Sequence, residues 1–255
     1  MKVIVFLISA ALLNTSVFTL EVMTFNIQKG GKKHQSKIIE IIKKSKSEII
    51  GINEAYDEIT FKKIALALNY NYYRAKTKKY QVGIFSKYPI IEKETINATS
   101  LSRSAIKVKI KLNDNTVINV FVIHLKPLNL PSRRKKRKEE VNIILQHIDK
   151  INKREPIILL GDFNERSHLD KPNKKRAVSN LIASKGFSDA FRLTHPSIKN
   201  FPGYTQSTKT FLIKRIDFIY CNNVIKIQSS KTIGKEFYKK WPSDHAAVLA
   251  TVSFK

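Results

Sequence analysis

Cysteine is almost absent from this chain of 255 residues. The single one, Cys221, excludes an intramolecular disulfide framework and any zinc site built from several thiolates. Glycine and proline are also sparse, at eight residues each, and no linker rich in either divides the chain. The length and the lack of a linker predict one main domain.

Acidic residues are also scarce. The chain has 20 Asp and Glu but 47 Lys and Arg, which gives a formal net charge of +27. Such a protein attracts polyanions, and nucleic acid, anionic membrane surfaces and acidic glycans all remain candidate partners. Codon bias in an AT-rich genome is the alternative explanation for the lysines, although it does not explain the scarcity of acids. Hydrophobic residues make up 42% of the chain, which excludes an intrinsically disordered protein.

The N-terminal apolar run, residues 3–13, is too short to span a bilayer, and no stable membrane insertion is predicted. It follows Lys2 and precedes the small polar residues 14–16, an order typical of a secretory signal peptide. We therefore expect residues 1–19 to be removed, residues 20–255 to form the mature domain, and the protein to be secreted or periplasmic. An ordinary buried strand or helix is the alternative interpretation.

Short apolar runs alternate with longer helical patterns along the remaining chain. Strict alternation over residues 104–111 is typical of a half-buried strand, and the isoleucines of residues 38–42 share one helical face. Together the patterns predict an α/β fold with sheets inside and helices outside. The predicted strands are 22–26, 49–53, 81–85, 104–111, 117–124, 157–160, 215–220 and 246–253, and the predicted helices are 36–46, 60–68, 133–152 and 178–184.

Polar side chains stand where several predicted strands end. A single Asp after a strand is usually a turn residue, and a single His there is usually a core residue. Their joint occurrence instead indicates a site, because strand ends at one edge of a sheet converge. The set is Asn26, Glu54, His124, Asp162, Asn164, Asp217, Asp244 and His245.

Two pairs in this set are the most informative. Asp162 and Asn164 are two residues apart, so in an extended chain both face the same way while Phe163 enters the core. Their oxygens suit a hard cation or a positioned water. Asp244 and His245 place a carboxylate beside an imidazole, the combination needed for metal binding and proton transfer.

Through these motifs the chain resembles the endonuclease/exonuclease/phosphatase superfamily, and within it the deoxyribonuclease I-like branch of metal-dependent phosphodiesterases. The resemblance implies a four-layer α/β sandwich with two central, mainly antiparallel sheets flanked by helices. The motifs, in chain order, are TFNI (24–27), NE (53–54), GIFS (83–86), SR (102–103), His124, GDFN (161–164), RIDFIY (215–220) and SDH (243–245).

The resemblance also implies roles for the polar set. Asp162 and Asn164 resemble the residues that position the attacking water and the scissile phosphate, and Asp217 resembles the residue that orients His245. The catalytic set is then His124, Asp162, Asn164, Asp217 and His245. Which histidine acts as base and which as acid is left open, and no acidic partner for His124 is evident in residues 72–81.

The implied metal ligands are Glu54, Asn26 and Asp244. Oxygen ligands that leave waters in place suit Mg²⁺ or Mn²⁺ better than Zn²⁺, with Ca²⁺ as a supporting ion. The chain departs from the family pattern at Asn53, where glutamine is usual before the metal-binding glutamate.

Nucleic acid is the leading candidate substrate, because basic residues cluster beside the segments that carry the site. DNA is favoured over RNA. Arg103 resembles a phosphate-contacting arginine, and Lys78 and Lys79 are expected to bind flanking phosphates. The predicted protein is a largely sequence-nonspecific endonuclease. The clusters lie at residues 32–33, 43–46, 76–79, 133–138, 174–176 and 239–240.

Two alternatives remain. A sphingomyelinase-like lipid phosphodiesterase would share every catalytic residue, although no exposed apolar hairpin is evident in the sequence. A catalytically inactive polyanion-binding protein would keep the charge, although it would be free to lose the acids and histidines that this chain retains.

Overall fold

The computed structural model describes residues 18–172, 174, 176–208, 211–234 and 241–254. Most of the predicted signal peptide and the lysines at 239 and 240 therefore lie outside the described residues. The described chain enters its first strand at Thr19, which pairs with Ser253. Among the described residues, no helix has the length and apolar character needed to cross a membrane.

The elements that the structure describes form two large sheets with flanking helices. A 3₁₀ segment, Lys29–His34, precedes the first helix. The strands are β1 (Thr19–Asn26), β2 (Ile49–Asn53), β3 (Asn71–Arg74), β4 (Gly83–Ser86), β5 (Ile90–Thr95), β6 (Ala105–Lys111), β7 (Val117–His124), β8 (Ile157–Asp162), β9 (Phe187–Asp189), β10 (Gln206–Thr208), β11 (Phe211–Lys214), β12 (Asp217–Asn222), β13 (Ile225–Ile233) and β14 (Ala247–Phe254). The helices are α1 (Gln35–Ser45), α2 (Glu58–Leu68), α3 (Pro131–Ile148), α4 (Ala177–Ser184) and α5 (Ala190–Thr194).

Each large sheet has six strands and one parallel pair. The first has the order β13-β14-β1-β2-β4-β3, and the second has the order β5-β6-β7-β8-β12-β9. The parallel pairs are β1–β2 and β7–β8, and the other pairs in both sheets are antiparallel. The prediction of two mainly antiparallel sheets is confirmed.

Alternation along the strands divides the core into layers. In β7, Val120 and Val122 join the cluster between the two sheets, whereas Phe121 and Ile123 join the cluster beneath α3 and α4. The isoleucines of α1 and α2 form a third cluster on the outer face of the first sheet. The result is helix, sheet, sheet, helix, which is the predicted four-layer sandwich.

The two sheets approach each other closely at Gly51 in β2. A Cβ at this position would lie 1.9 Å from the Cδ1 atom of Leu160 in β8. Any larger side chain would therefore require Leu160 to move in the tightly packed space between the sheets.

The predicted elements agree with the structure where the apolar pattern is strong. β2 and β7 have the predicted bounds, whereas α3 ends at Ile148 rather than at residue 152. The strands that the pattern missed are short or lie at sheet edges, such as β5, whose middle residues are all exposed. β13 was also missed, because a bulge between Ile227 and Ser229 breaks its alternation.

Candidate active site

The predicted polar residues meet where the central strands of both sheets end, on the same side of the sandwich. His124 and Asp162 are register partners at the ends of the parallel strands β7 and β8, and Asp217 pairs with Asp162 from the other side. In the first sheet, Asn26 and Asn53 are register partners at the ends of β1 and β2. The Nδ2 atom of Asn26 donates to Asp162 Oδ2 at 3.2 Å, which joins the two sheets at this edge.

A glycine permits the close approach of β8 to β7 just before Asp162. Gly161 has a φ of 138°, and a Cβ there would lie 2.0 Å from the carbonyl oxygen of Ile123. Phe163 is buried as expected, but Asn164 leaves the extended conformation with a φ of 51°. Asn164 stays beside Asp162 because its N–H donates to Asp162 Oδ1 at 2.9 Å, so a turn, rather than strand spacing, brings them together.

Asp162 lies between the two imidazoles of the site. Its Oδ2 atom is 3.4 Å from Nε2 of His124 and 3.9 Å from Nε2 of His245. Burial, reinforced by the nearby Asp217 carboxylate, raises the pKa of Asp162. Asp162 is thus the acidic neighbour of His124 that residues 72–81 did not supply.

His245 forms a buried pair with Asp217. Its Nδ1 atom is 2.8 Å from Asp217 Oδ2. Although burial opposes the charged imidazole, the Asp217 carboxylate raises the pKa of His245 to about 10. The contact that Asp217 needs in order to orient His245 is therefore present. With a pKa this high, the imidazole of His245 is charged at neutral pH.

His124 has the opposite protonation state. Burial lowers its pKa well below the usual 6.5, and the positive charges of Arg103 and His245 lower it further. Its Nδ1 atom has no hydrogen-bond partner among the described residues. One neutral and one charged imidazole on either side of a carboxylate are suited to general acid–base chemistry.

Arg103 lies on the rim of this centre. Its Nη1 atom donates to the hydroxyl of Tyr56 at 2.9 Å, and its guanidinium lies 4.5 Å from the ring centre of Tyr80. Lys78 and Lys79 belong to the exposed segment between β3 and β4 that also carries Tyr80. The structure therefore places the predicted phosphate-binding residues on neighbouring segments, with Arg103 held more firmly.

Comparison with known proteins agrees with this arrangement, since residues 23–245 match the model of the endonuclease/exonuclease/phosphatase family. The chain belongs to that family. An uncharacterised Caenorhabditis elegans protein is 27% identical over 305 residues, which cover 92% of this chain and 91% of that protein. The family consists of hydrolases that act on phosphoester bonds and depend on a divalent metal ion.

Solved structures of the family share the fold at low identity. A family member from Bacteroides thetaiotaomicron has a TM-score of 0.72 at 17% identity, and the match covers 94% of this chain and 99% of that one. Danio rerio TDP2, complexed with a single-strand DNA product, has a TM-score of 0.73 at 15% identity, with 92% and 99% covered. Identities this low establish the fold and leave the substrate to be argued from the site.

The residues expected to hold the family's metal ion have the right chemistry. Glu54 has a left-handed backbone with a φ of 58°, an unusual conformation for a side chain of this size. One of its carboxylate oxygens accepts from the N–H of Lys29 at 2.7 Å. In the preceding residue, Asn53, the buried Oδ1 atom has no hydrogen-bond partner among the described residues. These oxygen donors suit a hard divalent cation.

The side chains whose possible ligand atoms lie close together are not the predicted metal ligands. In the described chain, Asp162, Asp217 and His245 bring ligand atoms within 4.8 Å of one another, and neither Glu54 nor Asp244 belongs to this group. Because the 2.8 Å contact with His245 engages one Asp217 oxygen, we interpret the group as an oriented proton-transfer pair beside Asp162. Glu54, Asn26 and Asp244 remain the predicted metal ligands of this family member.

Several supporting residues were not predicted. The Thr205 hydroxyl accepts from the N–H groups of Ile216 and Asp217, both at 3.1 Å. Ser243 donates to the carbonyl of Asn26 and accepts from the N–H of His245. Ser243 could have been found from its place in the SDH motif, whereas no local pattern indicates Thr205.

Arg215 anchors the strand that carries Asp217. It is buried and forms ion pairs with Asp170 at 2.9 Å and with Asp189 at 2.7 Å. Despite burial, these two carboxylates, Asp189 first, raise the pKa of Arg215. The arginine of the RIDFIY motif therefore stabilises the site from within the protein and does not face the substrate.

One of the basic clusters contains a structural residue. Within the basic run at residues 133–138, Arg137 is fully buried. It contacts Glu165 at 3.2 Å and donates to the carbonyl oxygens of Lys126 and Leu128. Arg137 is therefore not available to bind a phosphate of a substrate, because its charge is used to hold the loop between β7 and α3.

Proposed function

We propose that this protein is a secreted or periplasmic, metal-dependent phosphodiesterase that hydrolyses DNA with little sequence preference, with RNA as the alternative nucleic-acid substrate. The observation that carries the proposal is the buried Asp162 side chain, whose Oδ2 atom lies 3.4 Å from Nε2 of His124 and 3.9 Å from Nε2 of His245. That centre lies in a chain with a formal net charge of +27.

Attack of water on a phosphodiester requires one proton to be removed and a second group to stabilise the leaving oxygen. The His124 and His245 imidazoles supply the two protonation states that such a reaction uses. Asp217 holds the ring of His245, and the backbone N–H of Asn164 and the amide of Asn26 hold the Asp162 carboxylate. Because these groups are buried, little reorganisation is needed during the reaction.

Glu54 and Asp244, with the amide of Asn26, are the proposed ligands of a Mg²⁺ or Mn²⁺ ion, and Ca²⁺ is the proposed supporting ion. A bound divalent ion supplies positive charge beside the phosphate, where negative charge accumulates during attack. The carboxylate and amide oxygens of these residues match the preference of such ions for oxygen ligands.

A nucleic-acid substrate is supported by the charge on the rim of the site. Arg103 is held against Tyr56 and Tyr80, and exposed lysines lie on the same segment as Tyr80. Such contacts bind phosphates without reading bases, which is the basis for little sequence preference. The similarly folded D. rerio TDP2 has been solved with a single-strand DNA product.

A lipid phosphodiester is the second candidate substrate, and one surface feature favours it. The segment from α5 to β10 exposes Leu193, Ile198, Phe201 and Tyr204, with between 40 and 60% of each residue accessible. The sequence did not indicate this exposed apolar segment. Apolar and aromatic side chains of this kind can contact a membrane interface.

The purified protein should be offered plasmid DNA, RNA and sphingomyelin vesicles with Mg²⁺, with and without a chelator. We expect nucleic-acid cleavage that the chelator abolishes and that His245→Ala lowers by ~10²–10⁴. His147→Ala, on the outer helix α3, is the matched control. Chelator-resistant cleavage would contradict the metal requirement, and cleavage of lipid alone would establish the second candidate. Binding of DNA with no hydrolysis of any substrate would indicate the inactive polyanion-binding protein.

The proposed location has a separate test. Protein recovered from the medium or periplasm of an expressing cell should begin at residue 20. An intact N-terminus on protein that stays inside the cell would contradict secretion.

A further inference from the structure

A pocket beside Asn164 contains positive charge that the proposed chemistry does not use. Its volume is about 430 Å³, and it lies between residues 127–129, residues 164–166 and the end of β11. The cationic residues that line it are Arg166, Lys174, Arg176 and Lys214.

The acidic residue in the lining is Glu165, whose charge also favours the charged form of Arg176. Glu165 accepts from Arg137 through Oε2 and from the N–H of Val178 through Oε1. Neither Lys174 nor Lys214 has an ion pair with any residue that the structure describes. The pocket therefore has an excess of positive charge.

Arg176 is the decisive residue. It is only 8% exposed, and its buried Nε atom has no hydrogen-bond partner in the described part of the chain. A buried N–H donor without an acceptor is unfavourable, and native proteins rarely leave such a donor unsatisfied. The planar N–H groups of arginine match the oxygens of a phosphate or carboxylate. An anion in the pocket would provide the missing acceptor.

The pocket adjoins the catalytic centre. Asn164 belongs to both, and Ile216 of the pocket lining directly precedes Asp217. Gln206, also in the lining, forms a backbone bridge with His245. A substrate whose scissile group lies at Asp162 would therefore extend its neighbouring group into this pocket.

We propose that this pocket is an anion-binding subsite that holds a phosphate group of the substrate chain next to the scissile phosphate. The inference rests on the proposed function, because it assumes a substrate with more than one phosphate. The group held is either an internal phosphodiester or a terminal phosphate of the chain, and the two share the same acceptor chemistry.

The test measures binding without turnover. Two dye-labelled single-stranded DNA octanucleotides, with and without a 3′-terminal phosphate, are titrated with the full protein in the presence of a chelator, and fluorescence anisotropy is followed at several salt concentrations. Arg176→Gln and Lys214→Gln should each weaken binding about tenfold. Each should also reduce the slope of log affinity against log salt by about 0.7, the value for one lost phosphate contact on a single strand.

Arg154→Gln is the matched control, since Arg154 is exposed and precedes β8, at the opposite end of that strand from Asp162. It should bind both probes like the wild type. Folding of each variant is checked by circular dichroism. If Arg176→Gln does not fold, the partly exposed Lys214 carries the test through its own variant.

Weaker binding of both probes supports an internal phosphodiester in the pocket, and weaker binding of the phosphorylated probe alone supports a terminal phosphate. Wild-type affinity and salt slope in Lys214→Gln and in folded Arg176→Gln would overturn the subsite, as would an equal loss in Arg154→Gln. Wild-type protein that binds both probes through Arg176 yet cleaves no nucleic acid would refute only the proposed function. Absence of binding by the wild type would refute both.

Discussion

The pair of His245 and Asp217 allows a sharp test of the site. Replacing Asp217 by Asn keeps the size of the side chain and removes its charge. In the native protein the Nδ1–Oδ2 distance is 2.8 Å, and the carboxylate raises the pKa of His245 to about 10 against the effect of burial. Without that carboxylate, burial should dominate and leave His245 largely neutral at pH 7.

The magnitude follows from the pKa of His245. A rise from 6.5 to about 10 corresponds to ~5 kcal/mol in favour of the charged imidazole. Asp217 contributes the largest share of that rise, with smaller shares from Asp162 and Asp244. Because acid–base catalysis depends on the correct protonation state and ring orientation, we expect Asp217→Asn to lower turnover by ~10²–10⁴.

Two measurements check this prediction. Turnover on the best phosphodiester substrate gives the kinetic effect, and ¹⁵N NMR of the histidine rings reports the protonation state of His245. Asp149→Asn is the matched control, because Asp149 forms its ion pair with Lys185 on the surface, where half of the Asp149 side chain is exposed. That variant should keep wild-type turnover and a charged His245.

The reasoning would be refuted by an Asp217→Asn variant whose turnover stays within about twofold of the wild type. It would also be refuted if His245 stayed charged at pH 7 in that variant, since its charge would then have another source.

Three further predictions concern the metal site, the pH dependence of stability and the glycine near the end of β8. Glu54→Gln should weaken Mg²⁺ binding in calorimetry by ~10-fold or more, and the exposed Glu92→Gln should not; equal affinities would exclude Glu54 as a ligand. In chelator, the charged His245 should stabilise the fold fully below pH 6.5 and lose this contribution as the pH rises through about 10. The difference in urea unfolding free energy between wild type and His245→Gln should therefore shrink over that range, and a constant difference would contradict the raised pKa. Gly161→Ala should lower the free energy of unfolding by about 2 kcal/mol or more, because its Cβ would clash with the Ile123 carbonyl; an unchanged unfolding midpoint would contradict this packing.

The sequence by itself determined the local elements wherever the apolar pattern was strong. β2 and β7 have the predicted bounds, and α1 and α2 differ from their predictions by one or two residues at their ends. Alternation and helical periodicity depend only on near neighbours in the chain, so they can be recognised without knowledge of the fold. The same holds for the motifs that contain Asp162, Asp217 and His245, since each motif is contiguous in the sequence.

Tertiary structure alone decided how those motifs act on one another. The position of Asp162 between two histidines, the support of Asp217 by Thr205, the burial of Arg137 and the unpartnered Nε of Arg176 all depend on contacts between distant segments. Edge strands such as β5 are determined in the same way, because their pairing, rather than their own composition, makes them strands. Charge and motif can be read along the chain, but burial sets the protonation state of His124 and the Asp217 carboxylate sets that of His245. Both the burial and the contact exist only once the two sheets have packed together.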